Sequence, residues 1–131
     1  MNNIEPTKEQ KLEMLNQILN ELKQKGKLKG VIFSYREGGI IAENLSGNYS
    51  EFNSDEYSSM CASVLESALG LGKTIGGKKF NKIIAELDKD TIILIECDEK
   101  TFISFVLNEK SQINPILENI ENYIRKIIFL Y

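Results

Sequence analysis

Histidine and tryptophan are absent from this sequence, and only two cysteines, two prolines and two arginines occur among its 131 residues. Without histidine the commonest general base is missing, and no Ser–His or Cys–His nucleophile can be assembled. Two cysteines, Cys61 and Cys97, cannot frame a disulfide scaffold, and with no histidine to join them a zinc site is nearly excluded. They read as small packed hydrophobes. Basic clusters are also lacking: 16 Lys and Arg stand against 19 Asp and Glu, a net charge of -3, and the lysines are dispersed. The chain therefore lacks a nucleic-acid footprint. Its longest apolar runs, Ile92 to Ile95 and Ile127 to Tyr131, fall far short of the roughly 18–20 residues of a membrane span. The opening MNNIEPTKEQ has no basic-then-apolar order, so no secretory leader is expected and a cytoplasmic location is.

What is present is a strong pattern. With 42% hydrophobic and 27% charged residues, the composition is that of one globular domain spanning 1–131. Thr7 followed by Gln10 has the spacing of a capping box, and Leu12, Leu15, Ile18, Leu19 and Leu22 recur at helical steps up to Lys25-Gly26. The period then shortens. Val31 to Tyr35 and Ile40 to Leu45 read as two strands of a hairpin, joined by Arg36-Glu37-Gly38-Gly39. Asn53 with Glu56, or Ser54 with Asp55 and Glu56, opens a second helix. Its apolar stripe is Tyr57, Met60, Cys61, Val64, Leu65, Ala68, Leu71 and Ile75. Three strand-like runs follow, Phe80 to Leu87, Thr91 to Cys97 and Thr101 to Leu107. Their connections are too short for crossovers, so consecutive strands are antiparallel. A last helix starts near Ser111 and Pro115 and reaches the C-terminus through Ile116, Ile120, Tyr123, Ile124 and Ile127. The order is helix, two strands, helix, three strands, helix. The doubly apolar runs Ile92 to Ile95 and Phe102 to Leu107 require central strands covered on both faces, which splits the helices between the two sides.

Few motifs carry chemistry. Gly70-Leu71-Gly72-Lys73-Thr74 ends like a phosphate-binding loop, but Ser67 stands where the first glycine is needed, and a helix precedes it instead of a strand. These glycines read as the end of the second helix, which weakens a nucleotide hydrolase. Glu96, Asp98 and Glu99 read as a solvated turn rather than a cation site. No catalytic, cofactor or metal residue is assigned. More informative is a face of small residues on the second helix, Ser58, Ser59, Ala62 and Ser63. It suits either close packing on the chain's own sheet or a helix-to-helix contact with another protein. Phe80 to Leu87 is placed at a sheet edge, where a second copy could pair with it unless Lys78, Lys79 and Lys82 prevent this.

Leu28 to Tyr35 running into Gly38-Gly39 and Ile40-Ile41-Ala42, Asp55-Glu56 opening the small-residue helix, Gly72, the three-strand meander and the closing helix resemble the roadblock (dynein light-chain type) domain family. That family is related to longin and profilin-like folds, and the resemblance covers about Lys8 to Ile128. It implies an α+β fold with a five-stranded antiparallel sheet in the order α-β-β-α-β-β-β-α. The terminal helices lie on one face and the middle helix on the other. It also implies a non-enzymatic dimer, with itself or a related roadblock chain, that serves as a platform for a Ras-like small GTPase. Dimerisation would run through the edge strand at Phe80, Lys82, Ile84 and Glu86. The GTPase would meet the middle helix around Ser58, Ser59, Ala62, Ser63 and Glu66. Some relatives are motor-complex adaptors. A monomeric profilin-like cytoskeletal binder is the alternative, weakened by the missing tryptophan and by the lack of an aromatic polyproline-binding face. Only Arg36 and Arg125 could serve as a charge-stabilising arginine, and neither lies on the middle helix.

Overall fold

A computed structural model describes residues 5–47 and 52–131. The first helix, α1 (Lys8–Gly26), begins with the expected capping box: Thr7 Oγ1 accepts from the Gln10 amide at 3.1 Å, and Gln10 Oε1 accepts from the Thr7 amide at 2.8 Å. Leu15, Leu19 and Leu22 form its buried stripe, whereas Leu12 stays exposed. Its end differs from the sequence expectation, because the left-handed residue is Lys27 (φ 50°) and not Gly26. Gly26 is needed for space instead: a Cβ there would lie 2.6 Å from Ile116 Cδ1.

The hairpin forms as expected from β1 (Gly30–Tyr35) and β2 (Ile40–Leu45), with a register shift at Phe33/Ser34. Gly38 takes φ 112° at the turn, which favours glycine. Next comes α2 (Ser54–Thr74), whose Asn53 cap accepts from the Glu56 amide at 3.1 Å. This helix runs straight through Gly70 and Gly72, correcting the expectation that those glycines end it. The chain turns later, at Gly76 and Gly77, both with positive φ. No strand precedes Gly70 directly, so a phosphate-binding loop is absent among the described residues.

Strands β3 (Ile83–Glu86), β4 (Thr91–Glu96) and β5 (Thr101–Leu107) complete one antiparallel sheet in the spatial order β2-β1-β5-β4-β3. β3 is shorter than the expected Phe80 to Leu87. The Lys78 amide bonds back to the Gly72 carbonyl at 2.9 Å, and Phe80 packs beneath α2 before pairing with β4 begins. The final helix is also divided, into α3 (Asn114–Leu117) and α4 (Ile120–Leu130). Asn119, at φ -119° and ψ 19°, leaves the helical region between them.

Strand alternation sorts the core into two layers. Val31, Phe33, Ile93, Ile95, Ile103, Phe105 and Leu107 meet the α1 leucines with Ile116, Tyr123 and Ile127. Leu94 and Phe102 meet Cys61, Ala62 and Leu65 of α2 on the opposite face. The terminal helices thus share one face of a five-stranded antiparallel sheet, and α2 covers the other. Among the described residues no helix is long and apolar enough to cross a membrane.

Candidate protein-interaction surface

At about 100° per residue, α2 carries three stripes. The inner one, Ser58, Cys61, Ala62, Leu65 and Gly72, is buried against the sheet. Its small side chains let the helix approach closely. Ser58 Oγ donates to Ser34 Oγ at 2.7 Å, and Ser104 Oγ reaches the Ile32 carbonyl at 3.4 Å, so the buried serines of this seam are satisfied. The Tyr57 hydroxyl lies near Ser104 and Cys61 but closes no hydrogen bond of good geometry. Burial pushes its acidity far out of reach.

The second stripe points outward and is apolar: Met60, Val64, Leu71 and Ile75 are all exposed, Leu71 by 64% and Ile75 by 63%. The sequence expectation joined these residues with Cys61 and Leu65 in one apolar stripe, and the structure divides it, Cys61 and Leu65 facing the sheet. The third stripe, Ser59, Ser63, Glu66, Gly70 and Lys73, is also exposed. Of the residues expected to face a partner, Ser58 and Ala62 are turned into the sheet, whereas Ser59, Ser63 and Glu66 face out.

At the sheet margin, β3 pairs with β4 on one side only among the described residues. Lys82, Ile84 and Glu86 are exposed, with Ile84 half open, and Phe80 is partly buried on the α2 layer. The unpaired edge lies beside the outward apolar helix stripe, and exposed strand edges and contiguous apolar patches are the kinds of surface that partner chains cover. The signal that reveals it in sequence is the spread of apolar residues around α2. A helix with one buried stripe leaves its far side polar, as most of α1 does, whereas α2 is apolar over a wider arc.

Charged groups hold this layer in place more than they offer chemistry. Arg36, in the hairpin turn, pairs with Glu96 at 2.9 Å and with Glu66 of α2 at 3.3 Å. It thereby ties the turn, β4 and α2 together instead of projecting freely. Its Nε is buried without a partner. Arg125 lies on α4, across the sheet from α2. Burial pushes both thiols up, Cys97 with further help from Asp98 and Glu96. Among the described residues no three carboxylates or thiols gather to hold a metal ion.

The architecture has close counterparts. The structure described as MglB with a tetrameric arrangement superposes with a TM-score of 0.82 at 14% identity, covering 92% of this chain and 89% of that one. The gliding protein MglB from Thermus thermophilus gives 0.81 at 13% identity over 92% and 90%. Myxococcus xanthus MglB gives 0.76 at 18% identity over 88% and 94%. At such identities the likeness is one of fold. No curated protein matches the chain in sequence. The family model of the Roadblock/LC7 domain matches residues 14–108, most of the chain and every strand of the sheet. The chain belongs to the Roadblock/LC7 domain family.

Proposed function

We propose that this protein is a single-domain, dimeric, non-enzymatic platform that binds and regulates or scaffolds a Ras-like small GTPase. The observation that carries the dimer is the outward apolar stripe of α2, Met60, Val64, Leu71 and Ile75, beside the unpaired β3 edge. Joining β3 to its copy would satisfy the open edge and set two α2 helices side by side on one face of a continuous sheet. Ile84, Lys82 and Glu86 lie at that seam, with Phe80 anchoring the strand's approach from below α2. The paired helices would then offer Ser59, Ser63 and Glu66 as a small, polar contact surface. Ser58 and Ala62 fix how closely α2 sits on the sheet. The GTPase assignment rests on membership of the roadblock family, whose members serve as such platforms, and the dimer forms either with a second copy of this chain or with a related roadblock chain.

Arg36 is engaged by Glu66 and Glu96, so any stimulation of GTP hydrolysis would work by reshaping the GTPase's own switches. The test is twofold. Purified Ras-like GTPases, loaded with GDP or a non-hydrolysable GTP analogue, are titrated against the protein. Nucleotide-dependent binding lost in Ser63→Arg is expected, and no binding in either state would refute the platform. Hydrolysis is then followed with Arg36→Gln and Arg125→Gln. Retained stimulation is expected, and complete loss would assign an arginine finger.

A further inference from the structure

Lysines that are dispersed along the sequence converge at one end of the sheet. Lys23 near the end of α1, Lys27 at its cap, Lys29 on the approach to β1 and Lys110 in the loop after β5 line a hollow of about 580 Å³, with Gln24 and Asn108 between them. Among the described residues no acid lines it. Lys29 pairs with Asp90 at 2.9 Å, whereas among the described residues no ion pair engages Lys23, Lys27 or Lys110. The helix macrodipole accounts for basic residues in the last turn of α1, Lys23 and Lys25, but not for Lys29 or Lys110, which come from other elements.

The walls of the hollow are held by backbone bonds. Ser111 Oγ donates to the Lys27 carbonyl at 2.8 Å and the Gln112 amide to the Gly26 carbonyl at 2.7 Å, which ties the end of α1 to the loop carrying Lys110. The Ser46 amide donates to the Lys29 carbonyl at 2.7 Å on the other side. Lys27 is also, among the described residues, the one non-glycine residue with a positive φ, at 50°, where glycine would sit at lower cost. Strain of this kind clusters at ligand sites.

We infer that this hollow binds a compact ligand carrying two or more phosphate groups, held by Lys23, Lys27, Lys29 and Lys110. Several lysines around one small space are matched by a single ligand only if it concentrates several negative charges, as linked phosphates do. All the cations are ammonium groups, point charges suited to tetrahedral phosphate oxygens, and none is the planar arginine fork that grips a carboxylate in two places. The volume lies in the range of small-molecule sites. A free polyphosphate and the headgroup of a phosphoinositide both present this chemistry.

Two probes distinguish those sources. Tripolyphosphate is titrated into the full chain by calorimetry at low ionic strength, and the chain is cosedimented with phosphatidylcholine vesicles containing phosphatidylinositol bisphosphate. Salt-sensitive binding is expected. Heat with tripolyphosphate assigns a free ligand, and binding to vesicles alone assigns the headgroup. Lys110→Glu should raise the dissociation constant at least about tenfold. Lys27→Gly should raise it about fivefold while leaving the chain at least as stable in urea, which separates lost binding from lost structure. Lys100→Ala, before the opposite end of β5, should bind as the native chain does. Absence of binding to both probes overturns the inference, as does citrate binding as tightly as tripolyphosphate. Affinity that ignores Lys27→Gly and Lys110→Glu, or falls equally in Lys100→Ala, overturns it too.

Discussion

Ser58 and Ser34 share a hydrogen bond of 2.7 Å at a point where both are fully buried, and this pair sets how closely α2 lies on β1. Gly38 shows how tight the neighbouring approach is, since a Cβ there would stand 2.9 Å from the Ser59 Cα. Removing the hydroxyl in Ser58→Ala leaves one buried oxygen without its donor and is expected to destabilise by about 1 kcal/mol. Ser58→Leu forces the helix off the sheet and is expected to destabilise by about 1–3 kcal/mol. Urea unfolding midpoints check both. A leucine variant as stable as the native chain would contradict the close seam.

Two glycines on α2 should respond to alanine with opposite signs. A Cβ at Gly72 would collide with the Lys78 carbonyl oxygen, whereas one at Gly70 meets nothing within 4 Å. Gly72→Ala is expected to destabilise by about 1–3 kcal/mol through displacement of the loop that leads to β3. Gly70→Ala should stabilise by about 0.5–1 kcal/mol by reducing the freedom of the unfolded chain. Thermal unfolding of the two variants side by side decides the matter, and equal shifts in the same direction would refute the packing described.

The C-terminus of α1 gives a similar contrast. Lys27 holds the left-handed conformation that usually belongs to glycine, while the adjacent Gly26 is confined by Ile116 and Leu28. Lys27→Gly is expected to stabilise by roughly 0.5 kcal/mol, the left-handed strain relieved less the entropy glycine loses on folding. Gly26→Ala should do the opposite, and chemical denaturation reads both.

Both cysteines should be inert in the folded protein. Burial raises the Cys61 and Cys97 thiols above their ordinary acidity, and Asp98 and Glu96 raise Cys97 further. Because the thiolate is the reactive form, a raised pKa lowers its fraction at any given pH below it. Alkylation near pH 8 is expected to be slow for both thiols and to become rapid on unfolding in urea. Labelling of the native protein at the rate of a free thiol would contradict their burial.

Much of this architecture is legible in the sequence because local rules and tertiary packing agree there. Thr7 and Gln10 announce the start of α1, Gly38-Gly39 the hairpin, and the short acidic turns the antiparallel meander. The departures occur where packing outweighs local preference. Gly26 resembles a helix terminator, yet its missing side chain is required by Ile116, so the strained position passes to Lys27. Gly70 and Gly72 resemble a helix end, yet α2 continues because Gly72 must admit the returning Lys78 backbone. On α2 the pattern gives the residues of each stripe but not which stripe faces in. Ser58, Cys61, Ala62 and Gly72 join Leu65 on the sheet side, where their small size permits the close approach, and Met60, Val64, Leu71 and Ile75 are left outside. A periodicity argument assigns the larger apolar residues to the core, which holds only when a helix has a single face to cover.

The absolute mass of the native chain and of the Val64→Lys/Ile84→Lys variant, measured by light scattering at matched concentrations, tests the dimeric platform most directly. The outward stripe of α2 and the open β3 edge require the native protein to associate and the variant to lose half of that mass. A native chain that stays monomeric throughout, or a variant whose mass is unchanged, would contradict the use of this surface.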